Sequence, residues 1–181
     1  MHRDLAGERW ALVIVGLHSS GKSTLARLIA STTHTRVTEL GDAVRSAARA
    51  QAGSSLVSVA RDLLAADPLS LARSAVFRGA QPPASQIYVG PRTTLELEYL
   101  LRNLDGAVTV GLRTSPEIRK RRWEHRHLSF GDTWDEREWQ ESNWGTEKLL
   151  SECDIVINGG QDVERKVSGI IASIRDIAGA Q

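Results

Sequence analysis

The chain has 181 residues, of which 41% are hydrophobic and 25% are charged, and its formal net charge is +1. This size and composition suit one globular domain over 1–181, and the near-neutral charge argues against a general nucleic-acid binder. The single cysteine, Cys153, excludes an intramolecular disulfide, and no apolar run approaches the roughly 18 residues that span a bilayer. The N-terminus is charged and lacks the apolar core of a signal peptide, so we expect a cytoplasmic protein without a membrane partner.

The first half of the chain predicts two strands and four helices. An apolar run at 11–15 and a β-branched segment at 35–40 are the expected strands. Helical spacing of apolar residues predicts helices at 24–30, 41–52, 56–66 and 69–78. A loop containing two prolines at 81–85 ends this half.

The second half predicts three more strands, at 87–89, 107–112 and 154–158. Thr93 and Glu96 form a capping box for the helix that follows the first of these, and Ser115-Pro116 predicts the start of a basic helix. The remaining helices are expected at 117–127, 147–152 and 162–178. The segment 129–145 is polar and aromatic, and no regular element is predicted there.

Strands separated by helices of this length imply right-handed crossovers and a parallel sheet covered on both faces. We therefore predict a three-layer α/β/α fold with a five-stranded parallel sheet. Ligands bind at the carboxyl ends of the strands in such folds. The sequence places its candidate site residues there, at 16 onward, 39–42, 90–92, 113–115 and 158–160.

The strongest motif is the stretch Gly16-Leu17-His18-Ser19-Ser20-Gly21-Lys22-Ser23, which fits the phosphate-binding loop pattern G-x-x-x-x-G-K-[ST]. Its glycines let backbone N–H groups approach phosphate oxygens, and the following helix N-terminus adds partial positive charge. Lys22 would reach the outer phosphates, and the Ser23 hydroxyl would bind Mg²⁺. The expected nucleotide-binding set is Gly16, His18, Ser19, Ser20, Gly21, Lys22, Ser23 and Thr24.

Asp42 and Arg45 follow the second predicted strand, opposite the phosphate loop. Asp42 could accept a proton from the acceptor or hold Mg²⁺, and Arg45 could bind a substrate phosphate. The alternative is a helix N-cap aspartate with a surface arginine one turn later.

Arg92 follows the third predicted strand and is suited to bidentate phosphate binding. Glu96 could orient it or serve only in the helix cap. Many phosphate-loop proteins carry an aspartate at the end of this strand, whereas here Val89 is followed by Gly90. Either Asp42 or Glu39 replaces that acid, or metal binding and turnover are weakened.

Arg119, Arg122 and Arg126 recur on one face of the basic helix. Their shared charge points to an anionic ligand, and arginines of this kind neutralise charge in phosphoryl transfer. We predict a lid over 115–145, the alternative being a solvated basic face. Trp134, Trp139 and Trp144 within this lid could stack on a substrate or hold the segment to the body, the latter being slightly favoured.

These motifs resemble the nucleoside and nucleotide kinase group of phosphate-loop proteins, nearest to its dephospho-CoA kinase-like and deoxynucleoside monophosphate kinase-like branch. The resemblance covers most of the chain. It rests on residues 16–23, 40–45, 89–92 with Glu96, 115–116 with the arginine helix, and 155–159. The missing acid after Val89 departs from the usual Asp-Gly-x-Arg pattern of the group.

The resemblance implies ATP as donor, Mg²⁺ as cofactor and a phosphorylated, nucleotide-like small molecule as acceptor. Catalysis would rest on Lys22, Asp42, Arg92 and Arg122. Asp42, Arg45, Arg92, Glu96 and Arg126 would contact the acceptor, Arg119 and Asn158 would lie at the nucleotide, and Ser23 with Asp42 would hold the metal. Two alternatives stay open: a regulatory module that binds ATP or ADP with weak catalysis, and a kinase of polynucleotide ends. The oligomeric state is open, a homodimer included.

Overall fold

Five parallel strands form one sheet. They are β1 (Ala11–Val15), β2 (Arg36–Glu39), β3 (Gln86–Val89), β4 (Ala107–Arg113) and β5 (Ile155–Asn158). Their order across the sheet is β2-β3-β1-β4-β5. The computed structural model describes residues 10–51, 54–79, 85–125, 131–160 and 163–178. The strand order reverses at β1, which pairs with β3 on one side and β4 on the other. A ligand crevice is expected at the carboxyl end of such a switch point.

Nine helices are found in the described part of the chain. They are α1 (Lys22–Thr33), α2 (Gly41–Ala50), α3 (Leu56–Ala66), α4 (Ser70–Gly79), α5 (Thr94–Asn103), α6 (Pro116–Glu124), α7 (Trp134–Asn143), α8 (Thr146–Ser151) and α9 (Val163–Ala178). None of the helices within the described ranges has the length and apolar character needed to cross a membrane.

The alternation of side chains along β1 produces two separate cores. Val13 and Val15 point to the layer that contains α2, α3, α4, α5 and α8. Leu12 and Ile14 point to the opposite layer, where α1 and α9 cover the sheet. All five residues of β1 are buried, as expected for a central parallel strand with helices on both faces. The predicted three-layer α/β/α fold with a five-stranded parallel sheet is therefore confirmed.

The strands and most helices lie within a few residues of their predicted positions, but two local predictions were wrong, and the alternative role of Asp42 as an N-cap is not found. The helix α7 lies inside 129–145, where no regular element was predicted. The basic helix α6 ends at Glu124, before the predicted end at 127. The helix α2 has Leu40 at its N-cap, so Asp42 lies in its first turn and is not the cap.

Candidate active site

The phosphate loop connects β1 to α1, as its sequence predicted. The helix α1 begins at Lys22, and Gly21 at its N-cap has φ 105°. Ser19 also has a positive φ, 56°. These left-handed positions turn the backbone sharply between strand and helix. The helix N-terminus thus lies at the carboxyl end of β1, where its N–H groups favour an anion.

Lys22 lies inside the loop that precedes it. Its Nζ donates to the carbonyl oxygen of Leu17 at 2.6 Å. Desolvation lowers the pKa of Lys22 to about 8, and the charge of Glu141 is the strongest opposing influence. The Lys22 side chain is therefore largely protonated at neutral pH and loses its proton at mildly alkaline pH. A bound phosphate would favour its charged form.

A single cleft of about 180 Å³ extends from the phosphate loop across the carboxyl ends of β2 and β3. Gly16, His18, Ser19, Gly21, Lys22 and Ser23 line its phosphate-loop side. Its other side is lined by residues of β2, β3, α2, α3, α6 and α7, among them Glu39, Arg45, Arg92, Arg137 and Glu141. The phosphate loop and three arginines thus share one cavity.

Arg45 and Arg92 lie side by side despite their like charges. A Cβ placed at Gly41 would be 3.0 Å from Nη1 of Arg45 and 3.7 Å from Nη2 of Arg92. Desolvation lowers the pKa of Arg92, and the charges of Arg137 and Arg45 lower it further. The buried Nη1 of Arg92 has no hydrogen-bond partner in the structure. This concentration of positive charge favours an anionic ligand.

The carboxylates near Arg45 have different surroundings. Arg45 donates to Glu39 at 2.5 Å and to Asp42 at 2.6 Å. Glu39 lines the cleft, whereas Asp42 is not among the lining residues and its side chain is 53% exposed. Of the two acids expected to replace the missing strand-end aspartate, Glu39 is therefore the better placed.

Glu96 lies beneath the loop that carries Arg92. It is fully buried, and its Oε2 accepts from the backbone N–H of Arg92 at 2.7 Å and of Thr93 at 3.3 Å. Thr93 and Glu96 complete the predicted capping box of α5. Desolvation raises the pKa of Glu96. Glu96 therefore fixes the backbone at Arg92 and Thr93.

Two arginines of α6, Arg119 and Arg122, point toward the body of the protein. Arg119 is 2% exposed, donates twice to Glu138 at 2.5 and 2.7 Å, and lies 5.2 Å from the ring of Trp134. Arg122 donates to the carbonyl oxygen of Ser20 at 2.7 Å and of Gly159 at 2.9 Å. Both hold α6 against neighbouring elements. Arg126, predicted to contact the acceptor, lies outside the described residues.

The sequence interpretation missed three residues of α7: Arg137, Glu138 and Glu141. Glu141 accepts from the backbone N–H of His18 at 2.6 Å, and Glu138 contacts Nε2 of the same histidine at 2.5 Å. The signal that could have located α7 is a second capping box, Thr133 with Glu136, which the structure contains. Nothing in the sequence spacing alone shows that this helix contacts the phosphate loop.

The aromatic side chains pack mainly against the body. The ring of His18 contacts Trp123 and Trp134 with centroid distances of 5.3 and 4.4 Å, and burial lowers the pKa of this histidine. Arg92 lies 5.3 Å from the ring of Trp144. Trp139 is 66% exposed. Trp134 and Trp144 therefore hold their segment in place, which agrees with the favoured interpretation, whereas Trp139 faces solvent.

The turn after β5 lies close to the phosphate loop. A Cβ at Gly159 would be 2.3 Å from Oγ1 of Thr114 and 2.9 Å from the carbonyl oxygen of Ser20, so only glycine fits. Asn158, predicted to lie near the nucleotide base, is exposed, and its Oδ1 accepts from the backbone N–H of Gly160 at 2.8 Å. It is not among the residues that line the cleft.

Comparison with known proteins identifies relatives by structure. No protein-family model and no curated protein sequence matches this chain. A shikimate kinase from Bacteroides thetaiotaomicron matches with TM-score 0.62 and 16% identity, over 91% of this chain and 98% of that one. A gluconokinase from Sinorhizobium meliloti matches with TM-score 0.63 and 17% identity, over 95% of each chain.

A sugar kinase from Janibacter sp. matches with TM-score 0.63 and 20% identity, over 96% of this chain and 97% of that one. The agreement extends over nearly the whole length of every chain compared. Together with the phosphate loop between β1 and α1, it shows that this protein has the α/β fold of the P-loop small-molecule kinases.

Proposed function

We propose that this protein is an ATP-dependent kinase that transfers the γ-phosphoryl group to a small anionic acceptor. The observation that carries the proposal is the single cleft in which Lys22 of the phosphate loop and Arg92 of the β3–α5 loop both line the wall. Phosphoryl transfer requires donor and acceptor groups to meet in line in one cavity. The structural neighbours, which are shikimate, sugar and gluconate kinases by name, support the same class of reaction.

The donor side is built from the phosphate loop. Its backbone N–H groups and the N-terminus of α1 would bind the phosphates of ATP, and the ammonium of Lys22 would leave the carbonyl of Leu17 to contact the outer phosphates. Arg122 keeps the loop in position through the carbonyl oxygen of Ser20. Catalysis would come mainly from positioning and charge neutralisation, as expected for phosphoryl transfer.

Mg²⁺ fits the donor side of the cleft. The hydroxyl-bearing Ser23 lines the phosphate-loop side of the cleft, and the carboxylate-bearing Glu39 lines the side facing it. No cluster of three or more His, Cys, Asp or Glu residues suited to a metal occurs within the described ranges. Mg²⁺ is usually held by one or two protein ligands together with substrate phosphates and water. Ser23, assisted by Glu39, would hold it there, and the ion would neutralise phosphate charge; Asp42 is a less favourable ligand because it faces outward.

The acceptor side carries Arg45, Arg92 and Arg137. We propose a phosphorylated, nucleotide-like acceptor, because paired guanidinium groups bind phosphate in a bidentate manner. A carboxylate would satisfy the same arginines. Shikimate and gluconate, each named in a structural neighbour, are acids of this kind and belong in any substrate screen.

One alternative has an observation in its favour. The end of β3 carries Gly90 where an acid is common, and a regulatory module that binds ATP or ADP without turnover would tolerate that loss. Such a protein would bind the nucleotide with Lys22 but phosphorylate nothing. A kinase of polynucleotide ends is less favoured because the net charge is only +1.

The test is release of ADP from ATP and Mg²⁺ against a panel of acceptors. The panel contains nucleoside monophosphates, their deoxy forms, dephospho-CoA, shikimate and gluconate, and the Lys22→Ala variant is the control. We expect one acceptor to raise turnover far above the ATP-only background in the wild type alone. A flat panel together with clear ADP binding would favour the regulatory module.

A further inference from the structure

The carboxylate of Glu141 lies at the phosphate loop. Its Oε2 accepts a hydrogen bond of 2.6 Å from the backbone N–H of His18, the third residue of the eight-residue motif. Backbone N–H groups of this loop are the donors that cradle phosphate oxygens in proteins with this motif. An anionic side chain from a helix 123 residues away therefore uses a donor that a nucleotide phosphate would use.

The contact is buried and electrostatically favourable. Glu141 is 5% exposed and lines the same cleft as Lys22 and Arg92. Its charge favours the protonated forms of both, opposing the desolvation that lowers the pKa of each. Glu141 thus provides the positive groups of the cleft with a negative partner.

The arrangement also explains the position of α7. Glu138 and Glu141 are three residues apart, so they lie on neighbouring positions of one helix face. Glu138 contacts the ring of His18 at 2.5 Å while Glu141 contacts its backbone at 2.6 Å. The phosphate loop and α7 are consequently joined at two points on a single residue.

A phosphate in the loop and the carboxylate of Glu141 exclude each other. A phosphate bound through the N–H of His18 would have to take it from the carboxylate, and two anions within a few ångströms repel strongly in a partly buried cleft. We propose that Glu141 is an intramolecular competitor for the phosphate loop, which nucleotide phosphates must displace in order to bind. This inference rests on the proposed function, since it takes the loop to be a nucleotide site.

The experiment measures the affinity of the loop by isothermal titration calorimetry with ADP and, separately, with pyrophosphate, which lacks the base and ribose. Wild type is compared with Glu141→Gln, which removes the charge at nearly constant shape, and with Glu141→Ala, which removes the hydrogen bond as well. Glu147→Gln is the matched control. Glu147 is exposed on α8 and does not line the cleft, so the substitution removes the same charge at a distant position. Circular dichroism verifies that each variant is folded.

We expect both Glu141 variants to bind pyrophosphate and ADP at least about tenfold more tightly than wild type and the Glu147→Gln control to match wild type. If both folded Glu141 variants bind equally or more weakly while wild type still binds ADP, Glu141 is not a competitor for the loop. The proposed function would remain intact. Absence of binding in wild type and in all variants contradicts the nucleotide site itself, and the competitor with it.

A second measurement reports the displacement of Glu141 from the phosphate loop. Trp134, the first residue of that helix, contacts the ring of His18 at 4.4 Å between centroids. Displacement of Glu141 by pyrophosphate should change the tryptophan emission of wild type, and Trp134→Phe should remove most of that change. An emission spectrum unaffected by saturating pyrophosphate contradicts displacement of Glu141 from the loop.

Discussion

Arg122 donates from Nη1 to the carbonyl oxygen of Ser20 at 2.7 Å, which joins the basic helix α6 to the phosphate loop. The second nitrogen, Nη2, binds the carbonyl oxygen of Gly159 at 2.9 Å. One guanidinium therefore ties the phosphate loop to the turn after the edge strand β5. Its most direct effect is to fix the loop backbone before any nucleotide is present, since preorganised donors bind anions better than mobile ones.

Removing this guanidinium should loosen the phosphate loop. We expect Arg122→Ala to weaken ADP binding by about tenfold or more, because charged hydrogen bonds of this kind are worth roughly 1.5–3 kcal/mol. Calorimetric titration with ADP provides the measurement, and Arg121→Ala, an exposed neighbour on the same helix, is the control. Unchanged ADP affinity in a folded Arg122→Ala variant would contradict the positioning role.

Arg92 should act on the acceptor more than on ATP. Its buried Nη1 has no partner, and it lies beside Arg45 in the cleft. We expect Arg92→Ala to raise the KM for the acceptor by roughly 10- to 100-fold, while the KM for ATP changes little. Arg92→Lys should raise the KM for the acceptor by less than Arg92→Ala does, since lysine keeps the charge and loses the planar fork.

Steady-state kinetics with the acceptor identified by the panel separates these effects. Arg102→Ala is the matched control, because Arg102 is an exposed arginine on α5 that forms a surface ion pair with Glu98. An equal rise in both KM values for Arg92→Ala would argue against a role specific to the acceptor.

Much of the fold could be predicted from local pattern. The apolar run of β1, the glycines of the phosphate loop and the Thr93–Glu96 capping box are each encoded within a few neighbouring residues. The helix α7 was missed because its sequence is polar and its interior carries charged residues on several faces. Its capping box is present in the sequence, but the many polar and glycine residues around it favoured the prediction of a loop.

The contacts between distant segments could not be predicted in the same way. Glu141 and His18 are 123 residues apart, and only the docking of α7 on the phosphate loop brings them together. Asp42 was weighed as a helix N-cap, but the N-cap of α2 is Leu40, so Asp42 lies in the first turn with its side chain 53% exposed. Arg45 and Arg92 were expected at one edge of the sheet, and their proximity follows from the parallel arrangement of β2 and β3.

The binding of pyrophosphate should depend on pH through Lys22. Desolvation lowers the pKa of Lys22 to about 8, and a bound phosphate favours the protonated ammonium. The free protein therefore loses its binding-competent charge as pH rises through about 8, and affinity falls above that value by up to about tenfold per pH unit. Titrations between pH 7 and pH 9.5 measure this effect.

The control for the pH experiment is Lys22→Arg, whose guanidinium stays charged over the whole range. This variant should show a weaker pH dependence than wild type, whatever its absolute affinity. A wild-type dissociation constant that is constant between pH 7 and pH 9.5 would show that the charge of Lys22 does not govern binding.

The buried pair between Arg119 and Glu138 should contribute to stability. Arg119 is 2% exposed and donates two hydrogen bonds to Glu138, so Glu138→Gln leaves a buried guanidinium without its counter-charge. We expect the free energy of unfolding to fall by about 3 kcal/mol. Glu98→Gln breaks the exposed pair with Arg102 and should cost less than about 1 kcal/mol.

Urea denaturation of the two variants beside wild type makes this comparison. The difference between the two losses matters more than either value, because both substitutions neutralise one carboxylate. The loss at Glu138 also includes its contact with His18. Similar losses for both variants would mean that Arg119 finds another partner when Glu138 is neutralised.

The most direct test of the account is transfer of the radioactive γ-phosphate of ATP to the identified acceptor by wild type and by Lys22→Ala. Lys148→Ala, an exposed lysine on α8, is the control for loss of one ammonium. We predict that Lys22→Ala stays folded and transfers phosphate at least about 1,000-fold more slowly, whereas the control retains wild-type activity. A folded Lys22→Ala protein with near wild-type transfer would contradict catalysis at the phosphate loop.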